Sequence, residues 1–268
     1  MQVSLPQSFL WSEDTFHPIA TAENDTLLVA DSWRVRFGKT WGIHDHVQRF
    51  MAGIAQQSPE HLGPIPAQHF TAMLDQKLRE LSQQYPGTDF FPRISVEPYQ
   101  GAWRIVLLVR SAPPARQTTS LWIPAETDPR TRPTIKGPDI AMLGELVRDA
   151  PADDVVLHDG DKIHETSTGA LLIWLDTRQL MLCQAEQQLP SIAAQRIVQQ
   201  AKALDIFVTR RPVTMQQLVS GRFPVWFANT LHGISAVTTI HSDAGQTNVV
   251  PHPDLEWWQA AWWSKFVT

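Results

Sequence analysis

The sequence predicts an α+β chain of two domains, on three observations. The first half mixes segments of strand-like alternation with segments whose apolar residues recur at helical spacing, and the second half repeats that mixture. Between them, residues 112–133 are polar and carry five prolines, at 113, 114, 124, 129 and 133. With 268 residues, 43% of them apolar, the chain can bury one large core or two modest ones. The expected division is an N-terminal domain over residues 1–123, a linker over 124–133 and a C-terminal domain over 134–268.

The first domain is expected to begin with a hairpin over residues 25–40, where branched residues partly alternate and Phe37-Gly38-Lys39 reads as the turn. Residues 44–55 and 67–85 then predict two helices, the second carrying Phe70, Met73, Leu74, Leu78 and Leu81 at helical spacing. Residues 90–96 and 101–111 predict strands on either side of Pro98-Tyr99-Gln100-Gly101, and a brief apolar patch follows at Leu121-Trp122-Ile123. In the second domain, a short helix is expected at 140–147 and strands at 154–157, 163–175 and 180–183. A helix over 191–204 precedes strands at 206–210 and 224–228, with a small helix at 214–219 between them. The run from Leu255 to Ser264 predicts a Trp-rich helix in which Trp258 and Trp262, four apart, share one side. There is no internal repeat and no low-complexity tract.

Composition narrows the function. Twenty-two basic residues against 27 acidic ones give a net charge of −5, and there is no long basic run, so nucleic acid and anionic membranes are not expected partners. Met1-Gln2-Val3-Ser4-Leu5-Pro6 lacks the basic-then-apolar pattern of a signal peptide, and no apolar run approaches a membrane span, which favours a cytoplasmic protein acting on a small molecule. Cys183 is the single cysteine, lies in an apolar strand-like run and excludes an intrachain disulfide or a cysteine-based zinc cluster. No metal is expected: His44-Asp45-His46 reads as a helix start with an acidic residue near its N-terminus. There is no Gly-x-Ser-x-Gly elbow, no Gly-rich Lys loop for phosphates and no His-Glu-x-x-His.

The chemistry-bearing residues fall at separated places. Lys136 follows the Pro-rich stretch in Ile135-Lys136-Gly137-Pro138-Asp139, and Glu165 follows the turn Asp159-Gly160 and precedes Thr166-Ser167-Thr168. His46-Val47-Gln48-Arg49 offers an arginine on a helix, and Ser191-Ile192-Ala193 opens another helix after Leu189-Pro190. Asn229-Thr230-Leu231-His232-Gly233 places a hydroxyl at a strand end. Together these segments resemble the class IV aminotransferase family, the pyridoxal-phosphate fold type IV that includes branched-chain and D-amino-acid aminotransferases and aminodeoxychorismate lyases. The resemblance spans roughly residues 25–240.

The resemblance implies a two-domain pyridoxal 5'-phosphate enzyme, with Lys136 as the catalytic residue that also holds the cofactor and Glu165 as the partner of its ring nitrogen. It places Arg49, Ser191, Ile192, Ala193 and Thr230 around the phosphate. A planar guanidinium suits phosphate oxygens, and a helix start offers converging N–H groups. Several positions depart from the family pattern. Ala30-Asp31-Ser32-Trp33-Arg34-Val35 replaces the usual Gly-Asp-Gly-x-Phe-Glu; Asp139 and Ala170 stand where asparagines are usual; Ser191 and Ala193 replace a glycine and a threonine. By strand alternation Ser32, Arg34 and Arg36 are expected to share a face, and its two arginines read either as receivers of a substrate carboxylate or as a solvated basic surface. The expected reaction is transamination between an amino acid and a 2-oxo acid. The alternatives are an aminodeoxychorismate lyase, releasing pyruvate to give 4-aminobenzoate for folate biosynthesis, and a non-catalytic binding relative. The family resemblance also implies a homodimer.

Overall fold

The computed structural model describes residues 5–21, 24–60 and 62–267. Two compact units divide the chain. One gathers residues 1–114, 135–141 and 265–268; the other gathers 115–134 and 142–264.

The first unit contains β1 (Gln7–Ser12), β2 (Thr15–Ile19), β3 (Val29–Ser32), α1 (Ile43–Gln57), α2 (Ala67–Gln84), β4 (Phe90–Tyr99) and β5 (Ala102–Ser111). Its five strands form an antiparallel sheet in the order β2-β1-β5-β4-β3. Side chains alternate across the central strand β5. Ile105, Leu107 and Val109 join a core with Phe50 of α1 and Phe70, Leu74, Leu78 and Leu81 of α2. Helix α1 buries His46, Val47, Phe50 and Gly53, the spacing of one helical face. Gly53 brings that face close to the sheet: a Cβ there would lie 2.7 Å from Cγ1 of Val29.

The second unit contains β6 (Thr118–Trp122), β7 (Asp154–His158), β8 (Lys162–Thr166), β9 (Ala170–Asp176), β10 (Gln179–Cys183), α4 (Ile192–Ala203), β11 (Phe207–Arg211), β12 (Val213–Thr214), α5 (Met215–Val219), β13 (Val225–Asn229), β14 (Gly233–Ser242), β15 (Gly245–Asn248) and α6 (Leu255–Ser264). Helix α3 (Ile140–Asp149) begins in the segment that belongs to the first unit. The ten strands run β11-β10-β9-β13-β14-β6-β7-β8-β12, with β15 paired to β14. Most pairs are antiparallel, but β6 runs parallel to both β14 and β7, and β11 runs parallel to β10. Ser191 caps α4, its hydroxyl accepting from the Ala194 N–H at 3.2 Å. Trp258 and Trp262 of α6 are buried on one side as their spacing predicts, and Trp258 packs edge-on against Trp174 and Trp226.

Several expectations need correction. The stretch 25–40 is not a laddered hairpin: β3 pairs with β4, and only the bridge Arg36–Lys39 closes the turn at Phe37-Gly38. The expected strand 163–175 breaks at Ser167-Thr168-Gly169, because Thr166 N–H and Oγ1 both donate to the Gly169 carbonyl at 3.0 Å. The boundary expected at 123 also moves. Leu121 and Ile123 are buried in the second unit's core, and the prolines at 113, 114 and 124 flank β6 without interrupting it. Lys136 lies in the first unit, contrary to the expected C-terminal assignment. The hairpin β1–β2 has no counterpart in the sequence reading. Its turn, Glu13-Asp14, takes positive φ at both positions (51° and 56°) without the glycine that announces such turns.

Candidate active site

On the first unit the site residues gather around β3. The Ala30 N–H donates to the Lys136 carbonyl at 2.6 Å, so the Lys136 backbone is tied to the strand. Gly137 permits the approach. Its φ is +145°, and a Cβ there would meet the Val29 Cα at 2.7 Å and the Ala30 nitrogen at 2.9 Å. Next to Ala30, the Asp31 carboxylate is wholly buried. It accepts from Arg49 Nε at 2.8 Å through Oδ2 and from Arg49 Nη2 at 2.8 Å through Oδ1. The same Oδ1 accepts from the Ser32 N–H at 2.7 Å and meets His46 Nδ1 at 2.8 Å. His46 and Arg49 are three apart on α1 and so face β3 together.

The electrostatics of this cluster are consistent. Burial pushes the Asp31 carboxyl up, but Arg49 and then His46 outweigh it and hold it well below the usual carboxylate range. Burial lowers His46; Asp31 opposes that shift, while the Arg49 and Lys136 cations add to it. With Asp31 ionised, a neutral His46 donates through Nδ1, and its buried Nε2 meets no hydrogen-bond partner among the described residues.

Ser32, Arg34 and Arg36 do not share one strand face, because β3 ends at Ser32 and Arg36 bridges back to Lys39. Arg34 is buried and gives Nη1 to Asp89 at 2.8 Å and Nη2 to the Pro113 carbonyl at 2.5 Å. It therefore ties the chain where it leaves β3. Val35 is fully buried and bridges Phe90, which makes it a packing residue.

On the second unit, Glu165 ends near the C-terminus of β8 and is buried. Its Oε1 accepts from Arg130 Nη1 at 2.6 Å and from the Leu189 N–H at 2.9 Å. Arg130 also holds Asp128, through Nε at 3.0 and 3.1 Å and Nη2 at 2.7 Å, and Asp128 Oδ2 lies 2.9 Å from His164 Nδ1. Two buried carboxylates thus share one guanidinium. Burial alone would lower Arg130, yet Asp128 and Glu165 raise it, and Arg130 and His164 in turn hold Asp128 below its ordinary value.

Ser191, Ile192 and Ala193 open α4. The Ser191 hydroxyl is engaged in its own cap, so the N–H groups of the first turn are what this helix start offers an anion. Thr230 sits in the turn after β13, which Asn229 fixes by accepting from the Leu231 N–H at 3.1 Å and the His232 N–H at 2.7 Å. Of the residues predicted from sequence, Arg49 and Lys136 therefore lie on one unit and Glu165, Ser191, Ile192, Ala193 and Thr230 on the other. Sequence reasoning missed Asp31 as the partner that Arg49 and His46 share. It also missed Asp128 and Arg130, which stand two apart in the Pro-rich stretch.

The family described as amino-transferase class IV matches residues 28–240 of this chain. The chain belongs to the class IV aminotransferases. Members of this family are pyridoxal-phosphate-dependent enzymes, and the chain is one of them. Its fold is that of solved relatives. A hypothetical aminotransferase from Mycobacterium tuberculosis in its PLP-bound form superposes with a TM-score of 0.80 at 14% identity, covering 97% of this chain and 99% of that one. A fold IV transaminase from Curtobacterium pusillum gives 0.78 at 13% identity, with 98% and 97% covered. A branched-chain aminotransferase from Thermoproteus uzoniensis with norvaline gives 0.76 at 13%, with 97% and 94% covered. No curated protein matches the chain in sequence.

Each unit of this class IV aminotransferase carries groups of the kinds that pyridoxal phosphate takes. An amine stands on a backbone pinned by a glycine, a guanidinium is fixed by a buried carboxylate, and Glu165 is a second buried carboxylate. Among the described residues no group of three or more His, Cys, Asp or Glu could hold a metal, and no helix is long and apolar enough to cross a membrane.

Proposed function

We propose that this class IV aminotransferase moves an amino group between an amino acid and a 2-oxo acid, with Lys136 as its catalytic residue. The observation that carries this reading is the seat of Lys136, whose carbonyl is bound by β3 beside the Asp31–His46–Arg49 cluster. When bound, pyridoxal phosphate supplies a ring that accepts the electron pair left behind when the substrate's α-proton is removed.

The chain's own residues supply binding, orientation and proton transfer. Lys136 would hold the cofactor through its amine and would move the substrate's α-proton as general base and then acid. Glu165 keeps a proton at the ring nitrogen, and its carboxylate is fixed for that by Arg130 and the Leu189 N–H. Arg49 anchors the phosphate through its guanidinium; the family resemblance gives the start of α4 at Ser191, Ile192 and Ala193, and Thr230, a phosphate-binding role as well. Fixed anchors set the distance between the reacting carbon and Lys136, which is a large part of the rate.

A homodimer in the cytoplasm belongs to the same reading, supported by the family resemblance, and size-exclusion chromatography with light scattering tests the dimer. The reaction itself is tested by adding an amino donor alone to the holoenzyme. Transamination converts the bound cofactor to its amine form and yields one equivalent of 2-oxo acid per site. Continuous release of pyruvate from aminodeoxychorismate without a 2-oxo acid acceptor would instead make the chain a lyase.

A further inference from the structure

We infer that Asp31 is a positioning residue of the phosphate anchor: by gripping the Nε–Nη2 edge of Arg49 it fixes the guanidinium so that the opposite end of the fork meets the cofactor phosphate. This rests on the reading of Arg49 as that anchor. The grip is bidentate, at 2.8 Å to each carboxylate oxygen. By the planar geometry of the guanidinium, the Nη1 end then points away from Asp31.

Asp31 is itself immobile. It is wholly buried at the end of β3, and the Ser32 N–H and the His46 ring hold the oxygen that also receives Arg49 Nη2. The Arg49 side chain, in contrast, is 16% exposed. A long, rotamer-rich side chain is thereby anchored along its Nε–Nη2 edge. The charge of Asp31 works in the other direction, because a carboxylate behind the anchor repels an incoming anion. Its net role is therefore decided by geometry against charge, and the two readings predict opposite signs for one isosteric change.

Asp31→Asn removes the charge and keeps the size, but it replaces one of the two accepting oxygens by an NH2 donor, so the two-oxygen grip on Nε and Nη2 of Arg49 is lost. The experiment titrates the apoprotein with pyridoxamine phosphate and with pyridoxamine, which bear no aldehyde for Lys136 to capture, and follows thermal unfolding of every variant. Positioning predicts that D31N weakens pyridoxamine phosphate about 3- to 10-fold, the effect of freeing one rotamer-rich side chain. It also predicts that pyridoxamine is unaffected and that D31N adds no further loss in the Arg49→Ala background. Unchanged or tighter phosphate binding, equal losses for both ligands, or an additive loss in the double variant would overturn it. Should D31N not fold, Asp31→Glu decides: it keeps the charge but displaces the carboxylate, and affinity equal to wild type would refute positioning. If R49A itself leaves the preference for the phosphorylated ligand intact, the assignment of Arg49 falls; if only D31N does, the assignment stands and this inference alone falls.

Discussion

Replacing Gly137 by alanine perturbs the seat of Lys136 without touching its side chain. At φ +145° the new Cβ would lie 2.7 Å from Val29 Cα, 2.9 Å from Val29 C and 2.9 Å from Ala30 N, all backbone atoms of β3 that no rotamer change can relieve. The segment must move away from the strand, and the 2.6 Å bond from the Ala30 N–H to the Lys136 carbonyl is then lost. Backbone strain of this kind costs about 1–3 kcal/mol and a lost buried hydrogen bond about 1 kcal/mol, so G137A should lower stability by about 2–4 kcal/mol. Because the shift carries Lys136 with it, pyridoxal phosphate capture should also weaken, by at least about tenfold if the amine moves on the order of 1 Å. Urea denaturation of the apoprotein gives the first quantity and a cofactor titration the second. A variant within about 1 kcal/mol of wild type that captures the cofactor equally well would show that the glycine seat does not position the lysine.

Two further perturbations read the second unit. Arg130→Met leaves the buried carboxylates of Asp128 and Glu165 without their shared cation and should cost about 3–5 kcal/mol in urea denaturation at pH 7.5; a loss under about 1 kcal/mol would mean that the pair relaxes into solvent. Burial raises the Asp154 carboxyl to about 6 despite bonds from the Thr168 hydroxyl and the Val155 N–H. A raised folded value means that this group's contribution to stability is fully present below the unfolded value near pH 4 and lost as pH rises through about 6. Asp154→Asn should therefore match wild type near pH 4 and exceed it at pH 7.5 by on the order of 3 kcal/mol, read from unfolding curves at the two pH values. A variant with the wild-type pH dependence would refute this assignment of the buried charge.

How much of this was legible in the sequence depended on whether a signal was local. The helices α1, α2, α4 and α6 announce themselves because one face of each is apolar at regular spacing, and the Trp258–Trp262 side follows from that spacing alone. Family resemblance supplied Lys136, Glu165 and Arg49. What the sequence did not carry was pairing at a distance. Asp31 and Arg49 are 18 residues apart and Arg130 and Glu165 are 35 apart, and nothing in either local pattern marks one as the partner of the other. Prolines misled the domain reading because they can flank a strand as well as fill a linker, as Pro113, Pro114 and Pro124 do around β6. The arginines at 34 and 36 were misread because alternation was extended past Ser32, where the strand ends.

The account stands most directly on which amine holds the cofactor. Reducing the pyridoxal-phosphate-loaded protein with borohydride and mapping the modified peptide by mass spectrometry should find the added mass on Lys136, in the peptide containing Ile135-Lys136-Gly137, and Lys136→Ala should give an unmodified protein without the visible-edge absorbance. Stoichiometric modification at Lys39, Lys77, Lys162, Lys202 or Lys265 instead, or persistence of the absorbance in K136A, would contradict it.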